Sequence, residues 1–534
     1  MRRGAHRRWP GAALATALLL ALVPAGARAA DGVPPEPLAR SSSLDAEIVN
    51  LVVRGRLPIE ALTFRPIDRG ELARDLRASG RGADATAEVV QRVLGERETR
   101  ALSLRRTARE ALAIAPYARL MPVGEDGDWS WTAASRIGVR AVYNYDSTLA
   151  FVSDIFAAEI PEGRSFADPL IAGTDFILHT EEATISARRG PLRLRVGRDR
   201  HRWGPGESGT LLLSEDGEPF TFAEYQLRLG RNLRFLALSG FTDRHAAAPV
   251  DSSGAVPPGV NPERARSLAA HRLQWDVTPR LTIAVAEAAR YQGGAHALYL
   301  LGIVPYTLVE RLDLQAAPSD STRHFARNNV LWSADVAWRA APATLLYAEV
   351  LADDIAMESS DMPTRGGFQL GARVCPAWRG WGWTLGAEYT RISNYTYSVY
   401  YQDVCQCDWE HLGEPLGYGL GPDVENLLLH AWTAPALSWS ASAWLDVTRK
   451  GEGAIGKPWQ PASESCACGA EPGAWTLSGS VTRTTALGLA VQHRFWPRAR
   501  VLCPAWVGAS IEGRWAQPDD RAVARVRLSA GVGG

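Results

Sequence analysis

Two features that often reveal a protein's class are missing from this sequence: a net charge and long apolar runs. Its 534 residues contain 58 Lys and Arg and 58 Asp and Glu, so the formal net charge is zero. Nucleic-acid binding needs a basic surface that neutralises phosphates, so nucleic acid is not expected as a partner. Beyond residue 30 no apolar run approaches the ~20 residues that a membrane-spanning helix needs. This excludes a bundle of membrane helices.

Motifs of catalysis, cofactor binding and metal binding are also scarce. Residues 204–209 match the GxGxxG pattern of dinucleotide sites, but residues 210–214 read as a strand, whereas that fingerprint opens a helix. Adjacent acidic residues at 181–182 and 353–354 would face opposite sides of a strand. Metal-ligand spacing is absent among His201, His271, His324 and His411. We expect no enzyme, cofactor or metal, with a hydrolytic site built from separate strands as an alternative.

The first 29 residues have the organisation of a secretory signal peptide. Four Arg residues within positions 2–8 precede an apolar stretch at 12–23 and the small-x-small triplet at 27–29. We expect the mature chain to begin near Ala30. Export would place the protein in an oxidising compartment.

Helical periodicity is confined to the N-terminal part of the mature chain. Apolar residues recur at helical spacing over residues 42–55, 68–80 and 85–113. Asp68 followed by Glu71 is a capping pattern for the second of these helices. The pattern predicts a small helical bundle within residues 30–116, on the periplasmic side.

From residue 117 to residue 534 the hydrophobic pattern has a period of two. In one run Leu273 and Trp275 alternate with Arg272 and Gln274, and we count sixteen to eighteen such runs. Many contain about ten residues, the length of a tilted strand that crosses a membrane. We therefore expect an all-β membrane fold, an antiparallel outer-membrane β-barrel of about 18 strands. A propeller would show a fixed blade repeat, which is absent.

The connections and the aromatic residues agree with a barrel. Tight turns alternate with long connections, and outer-membrane barrels have short turns at one end and long loops at the other. The long connections span residues 244–265, 307–326, 396–424 and 450–474. Pairs of Trp residues near the run ends are typical of interfacial girdles; they are Trp129 and Trp131, Trp332 and Trp338, Trp432 and Trp439, and Trp496 and Trp506.

Two clusters are candidates for ligand binding. Aromatic rings pack on the C–H faces of sugars, and carboxylates pair with their hydroxyls. The loop after residue 389 supplies both, and its candidate carbohydrate-binding residues are Tyr395, Tyr397, Tyr400, Tyr401, Trp409, Asp403 and Asp408. The alternative is an aromatic girdle with a loop that folds into the barrel. The second cluster contains Arg198, Arg200 and Trp203, and its alternative is a strand end and turn held by buried Arg/Asp pairs.

Six cysteines in an exported chain predict disulfides. Counting strands back from residue 534 places the 396–424 and 450–474 connections at the same end, within two strand spacings. We expect Cys405 and Cys407 to bridge to Cys466 and Cys468, which would stiffen the aromatic loop. A four-thiolate metal site is the alternative. Cys375 and Cys503 fall at turns at the opposite end, four strands apart, and are expected not to pair with each other.

The order of several short segments resembles the Wzi-type capsule-assembly proteins of Gram-negative outer membranes. These segments are Phe64-Arg65-Pro66, residues 68–71, Gly197-Arg198, Trp203-Gly204-Pro205-Gly206, residues 211–214, Pro219, residues 271–275, Tyr347-Ala348-Glu349 with Asp353-Asp354, and residues 417–423. The resemblance implies an eighteen-stranded barrel with a periplasmic helical bundle. It also implies that the protein acts as a lectin that holds capsular polysaccharide, and that it has no catalytic residues. Two departures are the end Gly533-Gly534, where barrels commonly end on an aromatic, and the paired cysteines.

The leading hypothesis is a non-enzymatic outer-membrane protein that attaches or assembles capsular or exopolysaccharide at the cell surface. Its expected partners are this polysaccharide, outer-membrane lipid and other capsule-export components. A porin or polysaccharide conduit is the alternative, with a hydrolase behind it. The lumen-facing basic set favours a plug-like lattice of ion pairs with Asp276 and Glu388 over an open channel. That set is Arg136, Arg140, Arg193, Arg195, Arg228, Arg272, Arg525 and Arg527.

Overall fold

The fold was described from a computed structural model. The described residues are 35–38, 42–78, 102–107, 109–126, 128–131, 135–159, 171–172, 174–242, 266–292, 297–315, 328–355, 363–378, 381–399, 407–436, 438–457, 475–495, 505–518 and 521–532. The expected signal peptide at 1–29 lies outside them. Within these ranges, no helix is long and apolar enough to cross a membrane.

Eighteen strands of the described chain form a closed antiparallel barrel, which confirms the predicted architecture. Each strand pairs with its sequence neighbours, and the last pairs with the first, Ala530 opposite Leu120. The strands are β1 Glu110–Leu120, β2 Arg136–Tyr145, β3 Leu149–Glu159, β4 Phe176–Arg189, β5 Leu192–Asp199, β6 Phe220–Leu229, β7 Leu233–Phe241, β8 Arg266–Thr278, β9 Leu281–Gln292, β10 Asn329–Ala341, β11 Thr344–Asp354, β12 Arg365–Val374, β13 Trp381–Ile392, β14 Val424–Ala436, β15 Trp439–Lys450, β16 Thr482–Phe495, β17 Ala505–Gln517 and β18 Arg521–Val532.

Alternation along each strand separates an apolar outer face from a polar lumen. On β8, Leu273 and Trp275 are 39% and 52% exposed on the outside, whereas Arg272 and Gln274 are buried inside. A one-residue slip would exchange the two faces, so this alternation determines the register of every strand. The outer face of the barrel is therefore the apolar surface that a membrane requires.

Short strands and helices complete the fold. The short strands are Phe64–Arg65, Leu102–Arg106, Pro122–Glu125, Asp128–Trp131, Arg202–Trp203, Ala377–Trp378, Glu410–His411 and Glu414–Pro415. The helices are α1 Ser42–Val53, α2 Glu60–Thr63, α3 Arg69–Ala78, α4 Ala297–Leu301 and α5 Tyr306–Gln315. Helices α1 and α3 match the first two predicted helices, and the Glu71 amide donates to Asp68 Oδ1 at 2.9 Å as the capping pattern predicted.

The predicted third helix is wrong over residues 102–113, and the barrel begins before the predicted boundary at 117. Residues 102–106 and β1 are strands there, because β1 pairs with β2 along its length and meets β18 to close the barrel. The Ala-rich stretch 111–115 is compatible with either state in isolation, and long-range pairing decides between them. Residues 85–101 of that prediction lie outside the described residues.

Residues 42–78, here called the helical segment, close the short-turn end of the barrel. Strand residues next to the tight turns hold it: Arg188 lies 2.7 Å from Asp68, and Arg339 donates to the Val52 carbonyl at 3.1 Å. Leu51 and Leu62 pack with Leu345 of the barrel wall in one apolar cluster. The segment is thus docked into the barrel rather than suspended beneath it.

The lumen is filled from both ends. The connection between β5 and β6, residues 200–219 and here called the lumen loop, runs inward, and its Arg202–Trp203 strand pairs with Phe64–Arg65 of the helical segment. Around the lumen loop the wall carries a lattice of ion pairs, as expected, but its carboxylates differ from the predicted ones. Asp276 lies 3.9 Å from Arg234, outside the predicted set, and Glu388 accepts hydrogen bonds from lumen-loop amides. Buried examples join Arg140 to Glu182, Arg195 to Asp199 and Arg272 to Asp335.

Exposed tryptophans mark the barrel ends, as predicted for most of the girdle. Trp129, Trp131, Trp338 and Trp439 are 47–59% exposed. Of the other predicted girdle residues, Trp332 is 43% exposed, Trp506 is half-buried and Trp496 lies outside the described residues. Trp432 does not fit the girdle, because it is only 5% exposed. It belongs to the barrel packing and not to the girdle.

Candidate functional site

The long-loop end of the barrel is covered by the connection between β13 and β14, residues 393–423, here called the mouth loop. Its described parts fold inward over the lumen loop. The Tyr397 hydroxyl donates to the Leu211 carbonyl at 2.5 Å, and the Trp409 indole N–H donates to the Leu212 carbonyl at 2.7 Å. A buried Tyr or Trp usually finds a hydrogen-bond partner for its O–H or N–H group, and here the carbonyls of the lumen loop accept these bonds.

These contacts correct the expectation of an exposed aromatic surface. Tyr397 and Trp409 are 0% exposed, Tyr395 is 8% exposed, and Asp408 is 5% exposed and accepts a hydrogen bond from the Val399 amide at 2.9 Å. The loop instead follows the alternative that it folds into the barrel. Of the predicted carbohydrate contacts, Tyr400, Tyr401 and Asp403 lie outside the described residues.

The mouth loop has an unusually strained backbone. Positive φ angles occur at Tyr395 (67°), Tyr397 (74°), Leu412 (53°) and Asp423 (56°). Such conformations cost a non-glycine residue about 1–3 kcal/mol each and persist only where surrounding contacts impose them. One such contact is the Tyr397 amide, which donates to the Asp353 carboxylate at 2.7 Å. These contacts therefore fix the backbone of the described parts of the mouth loop, 393–399 and 407–423.

Asp423 joins the mouth loop to the connection between β15 and β16. Its buried carboxylate accepts hydrogen bonds from the Gly453 amide at 2.9 Å, the Ser478 amide at 3.2 Å and the Ser478 hydroxyl at 2.6 Å. Its own amide donates to the Ser393 carbonyl at 3.2 Å. Asp423 thus joins both ends of the mouth loop to two segments of the β15–β16 connection.

The lumen loop is fixed to the barrel wall beneath the mouth loop. The amides of Glu207 and Ser208 donate to Glu388 at 2.6 and 2.8 Å. Burial raises the pKa of Glu207, but Arg373 at 3.2 Å and His430 at 2.8 Å outweigh it and lower this pKa to about 2. Glu207 is therefore ionised throughout the physiological range.

The glycine pattern at 204–209 allows this close approach. A Cβ on Gly206 would lie 2.0 Å from the Gln369 side-chain oxygen, so only glycine fits where the backbone passes the wall. The GxGxxG match is a packing requirement of the lumen loop.

The charged cluster before the lumen loop also makes structural contacts. Arg198 donates to the Thr180 carbonyl at 3.0 Å, and Arg200 lies 3.1 Å from Glu181 and donates to the Gly217 carbonyl at 2.5 Å. Trp203 is 1% exposed. These residues hold the strand end and turn in the way that the alternative interpretation of this cluster described.

The Wzi capsule assembly protein family model matches residues 129–501, more than half of the chain. The chain belongs to this family. Family membership and the closed barrel confirm the resemblance and the expected outer-membrane location.

One solved structure shares this fold at low sequence identity, and a second is less similar. Wzi of Escherichia coli, described as a carbohydrate-binding β-barrel of the outer membrane involved in group 1 capsule assembly, has a TM-score of 0.59 at 15% identity, covering 92% of this chain and 98% of that one. OccD3 of Pseudomonas aeruginosa has a TM-score of 0.41 at 11% identity, covering 82% and 93% of the two chains. No curated protein matches this chain by sequence.

The cysteines are a feature that the resemblance to the Wzi family did not predict. Cys407 is disulfide-bonded, and its partner lies outside the described residues. The expected bridges from Cys405 and Cys407 to Cys466 and Cys468 remain a prediction. Cys375 is a buried free thiol beneath α1, where Asn50 donates to its Sγ at 3.5 Å.

The sequence analysis did not identify the residues that organise the long-loop end of this Wzi family member. Asp423 ends the Gly-rich segment 417–423, whose composition marked a loop without revealing its partners. Exposed polar groups at the same end include Glu452 and Lys457, which lie in the described part of the β15–β16 connection. Their position above the mouth loop follows from strand pairing and not from any local pattern.

Proposed function

We propose that this protein is a non-enzymatic glycan-binding barrel that attaches or assembles capsular or exopolysaccharide at the cell surface. The observation that carries the proposal is the pre-organised mouth loop: in its described parts, strained residues, the contacts of Asp423 and two buried aromatics fix the backbone. A long flexible polymer loses entropy when it binds, so a receptor that is already ordered keeps more of its contact energy. Carbohydrate binding by Escherichia coli Wzi, on the same fold, supports this function.

The orientation follows from the two ends. Outer-membrane barrels have short turns on the periplasmic side and long loops outside. The helical segment at the short-turn end would then be periplasmic, within reach of capsule-export components, and the mouth loop would face the polysaccharide.

A passive conduit is disfavoured by the filled lumen. The lumen loop, the helical segment and the ion-pair lattice occupy the barrel interior in the described residues. Planar-bilayer recording of the refolded protein should show no large, steady single-channel current. Such a current would favour the porin alternative over a lectin.

Retention of polysaccharide tests the glycan surface directly. Tyr400 and Tyr401 remain the proposed contact residues, and replacing both with Ala should release polysaccharide into the medium while barrel insertion stays normal. Tyr145→Ala is the matched control, because Tyr145 is 39% exposed at the opposite end of the barrel. Equal retention by both variants would place the binding surface elsewhere.

Charge at the same end provides an independent measurement. Lys457→Ala should lower the binding of an acidic polysaccharide to the refolded protein on a glycan array. Arg231→Ala removes a cation from the short-turn end and should leave binding unchanged. If the host's own polysaccharide is instead shortened during incubation, the protein is a hydrolase and the proposal fails.

A further inference from the structure

The connection between β9 and β10 packs against the outside of the barrel. It contains α4 and α5, and the ring of Tyr306 lies 4.6 Å from the ring of His271 on β8. His271 shares its side of the strand with the exposed Leu273 and Trp275, which places it on the outer wall. Tyr225, which is also on the outer wall, donates its hydroxyl hydrogen to the Leu301 carbonyl.

The wall beneath these helices is shaped to receive them. Ala237, Ala269 and Ala289 are at most 2% exposed, whereas outward residues nearer the short-turn end of β8 and β9 are large, namely Leu273, Trp275, Ile283 and Val285. Gly302, between α4 and α5, has φ +60°, and a Cβ there would lie 2.6 Å from the Cβ of Ala237. Small side chains on both surfaces allow the helical hairpin to lie directly on the strands.

A buried carboxylate on the outer wall depends on this hairpin. Glu287 on β9 is 0% exposed. It accepts hydrogen bonds from the amides of Tyr306 and Thr307 at 2.8 and 3.0 Å, at the first turn of α5, and lies 3.3 Å from His271. Without α5, this carboxylate would point into the surroundings of the barrel, where no backbone amide could satisfy it.

The depth of the hairpin follows from the length of β9. Outward residues of this strand begin with exposed Ile283 and Val285 and continue with Glu287, Ala289 and Tyr291, which are at most 4% exposed. A tilted strand needs about ten residues to cross the hydrocarbon layer. If β9 enters the hydrocarbon layer at Leu281, its membrane-crossing part ends between Ala289 and Tyr291. The hairpin therefore covers the upper half of a strand that must itself span the membrane.

The exposed surface of the hairpin is apolar over residues 297–310. Within residues 297–310 every exposed position is apolar, namely Ala297, Leu300, Leu301, Ile303, Pro305 and Leu308. Ile303 is 71% exposed and Leu301 is 52% exposed. A loop in water would present polar groups here, whereas this surface continues the lipid-facing band of the barrel wall.

We propose that the α4–α5 hairpin is a membrane-embedded part of this barrel, with its apolar face against the acyl chains of outer-leaflet lipid. The hairpin replaces the strand surface at this depth and shields the Glu287–His271 pair from hydrocarbon. The inference relies on the outer-membrane location and is independent of glycan binding, so either proposal can fail alone.

Spin-label accessibility tests the proposal in phosphatidylcholine vesicles. Nitroxides are attached at Ile303→Cys, at Leu429→Cys on the lipid-facing wall as the lipid reference, and at Lys457→Cys as the water reference. The unsubstituted protein gives the background from native cysteines. The label at residue 303 should collide with oxygen as often as the label at 429, and with a water-soluble nickel chelate far less often than the label at 457.

Two results would overturn the proposal. Nickel access at residue 303 equal to that at 457 would place the hairpin in water. Exclusion of both reagents together with dipolar broadening between labels would assign the face to a second copy of the chain. Leu308→Cys, also on the exposed face, repeats the measurement if Ile303→Cys does not insert, and the same two results at residue 308 would be decisive.

Discussion

The role of Asp423 as the hub of the long-loop end leads to a quantitative prediction. Replacing Asp423 with Ala removes the acceptor of three hydrogen bonds, from the Gly453 amide, the Ser478 amide and the Ser478 hydroxyl. A hydrogen bond to an ionised acceptor contributes about 1.5 kcal/mol or more. The loss should therefore be about 4.5 kcal/mol or more of local stability, which is at least a roughly two-thousand-fold rise in the opened population of the connection.

Hydrogen–deuterium exchange measures this opening. Peptides covering Gly453 and Ser478 should lose protection in Asp423→Ala, and Asp423→Asn, which keeps one acceptor oxygen, should lose less. Asp446→Asn is the matched control, because Asp446 accepts from Asn426 at 2.8 Å and Thr448 at 2.9 Å on the barrel wall. Unchanged exchange at Gly453 and Ser478 in Asp423→Ala would refute the hub. Polysaccharide retention should fall in the same order as protection.

Three further predictions concern the helical segment and the cysteines. Burial raises the pKa of Glu47 in α1 from 4.5 to about 7, against the opposing effect of Arg494. Between pH 4.5 and 7, Glu47 is therefore protonated in the folded state and ionised in the unfolded state, so docking of α1 should weaken by about 3 kcal/mol as the pH rises through this range. Limited proteolysis of α1 should become faster over the same range. Glu47→Gln should abolish this pH dependence. Asn50→Ala should speed maleimide labelling of Cys375, since Asn50 covers that thiol and also donates to Thr384 at 2.8 Å; an unchanged rate would contradict a docked α1. Non-reducing peptide mapping should recover bridges between the two Cys-x-Cys pairs, and free thiols at all four positions would contradict the strand count.

Local patterns in the sequence determined most of the barrel. Period-two alternation is imposed by the pleat of each strand, so it reveals the number of strands and their lumen-facing Arg residues without any partner. The capping interaction between Asp68 and Glu71 lies within one turn of helix, so the sequence alone was sufficient to predict it. Tight and long connections also distinguished the two ends of the barrel before any fold was known.

Only tertiary structure decided where the remaining residues act. Residues 110–113 became part of a strand because β1 pairs with β2 along its length and, at residues 118–120, with β18 about 400 residues away. Residues 102–106 pair in turn with β1. Tyr397 and Trp409 turned inward because the lumen loop offered carbonyls to their polar tips, and Glu287 could remain on an outer wall because α5 covered it. In each case the deciding contact joins segments distant in sequence, and a local pattern contains no information about which distant segment will supply it.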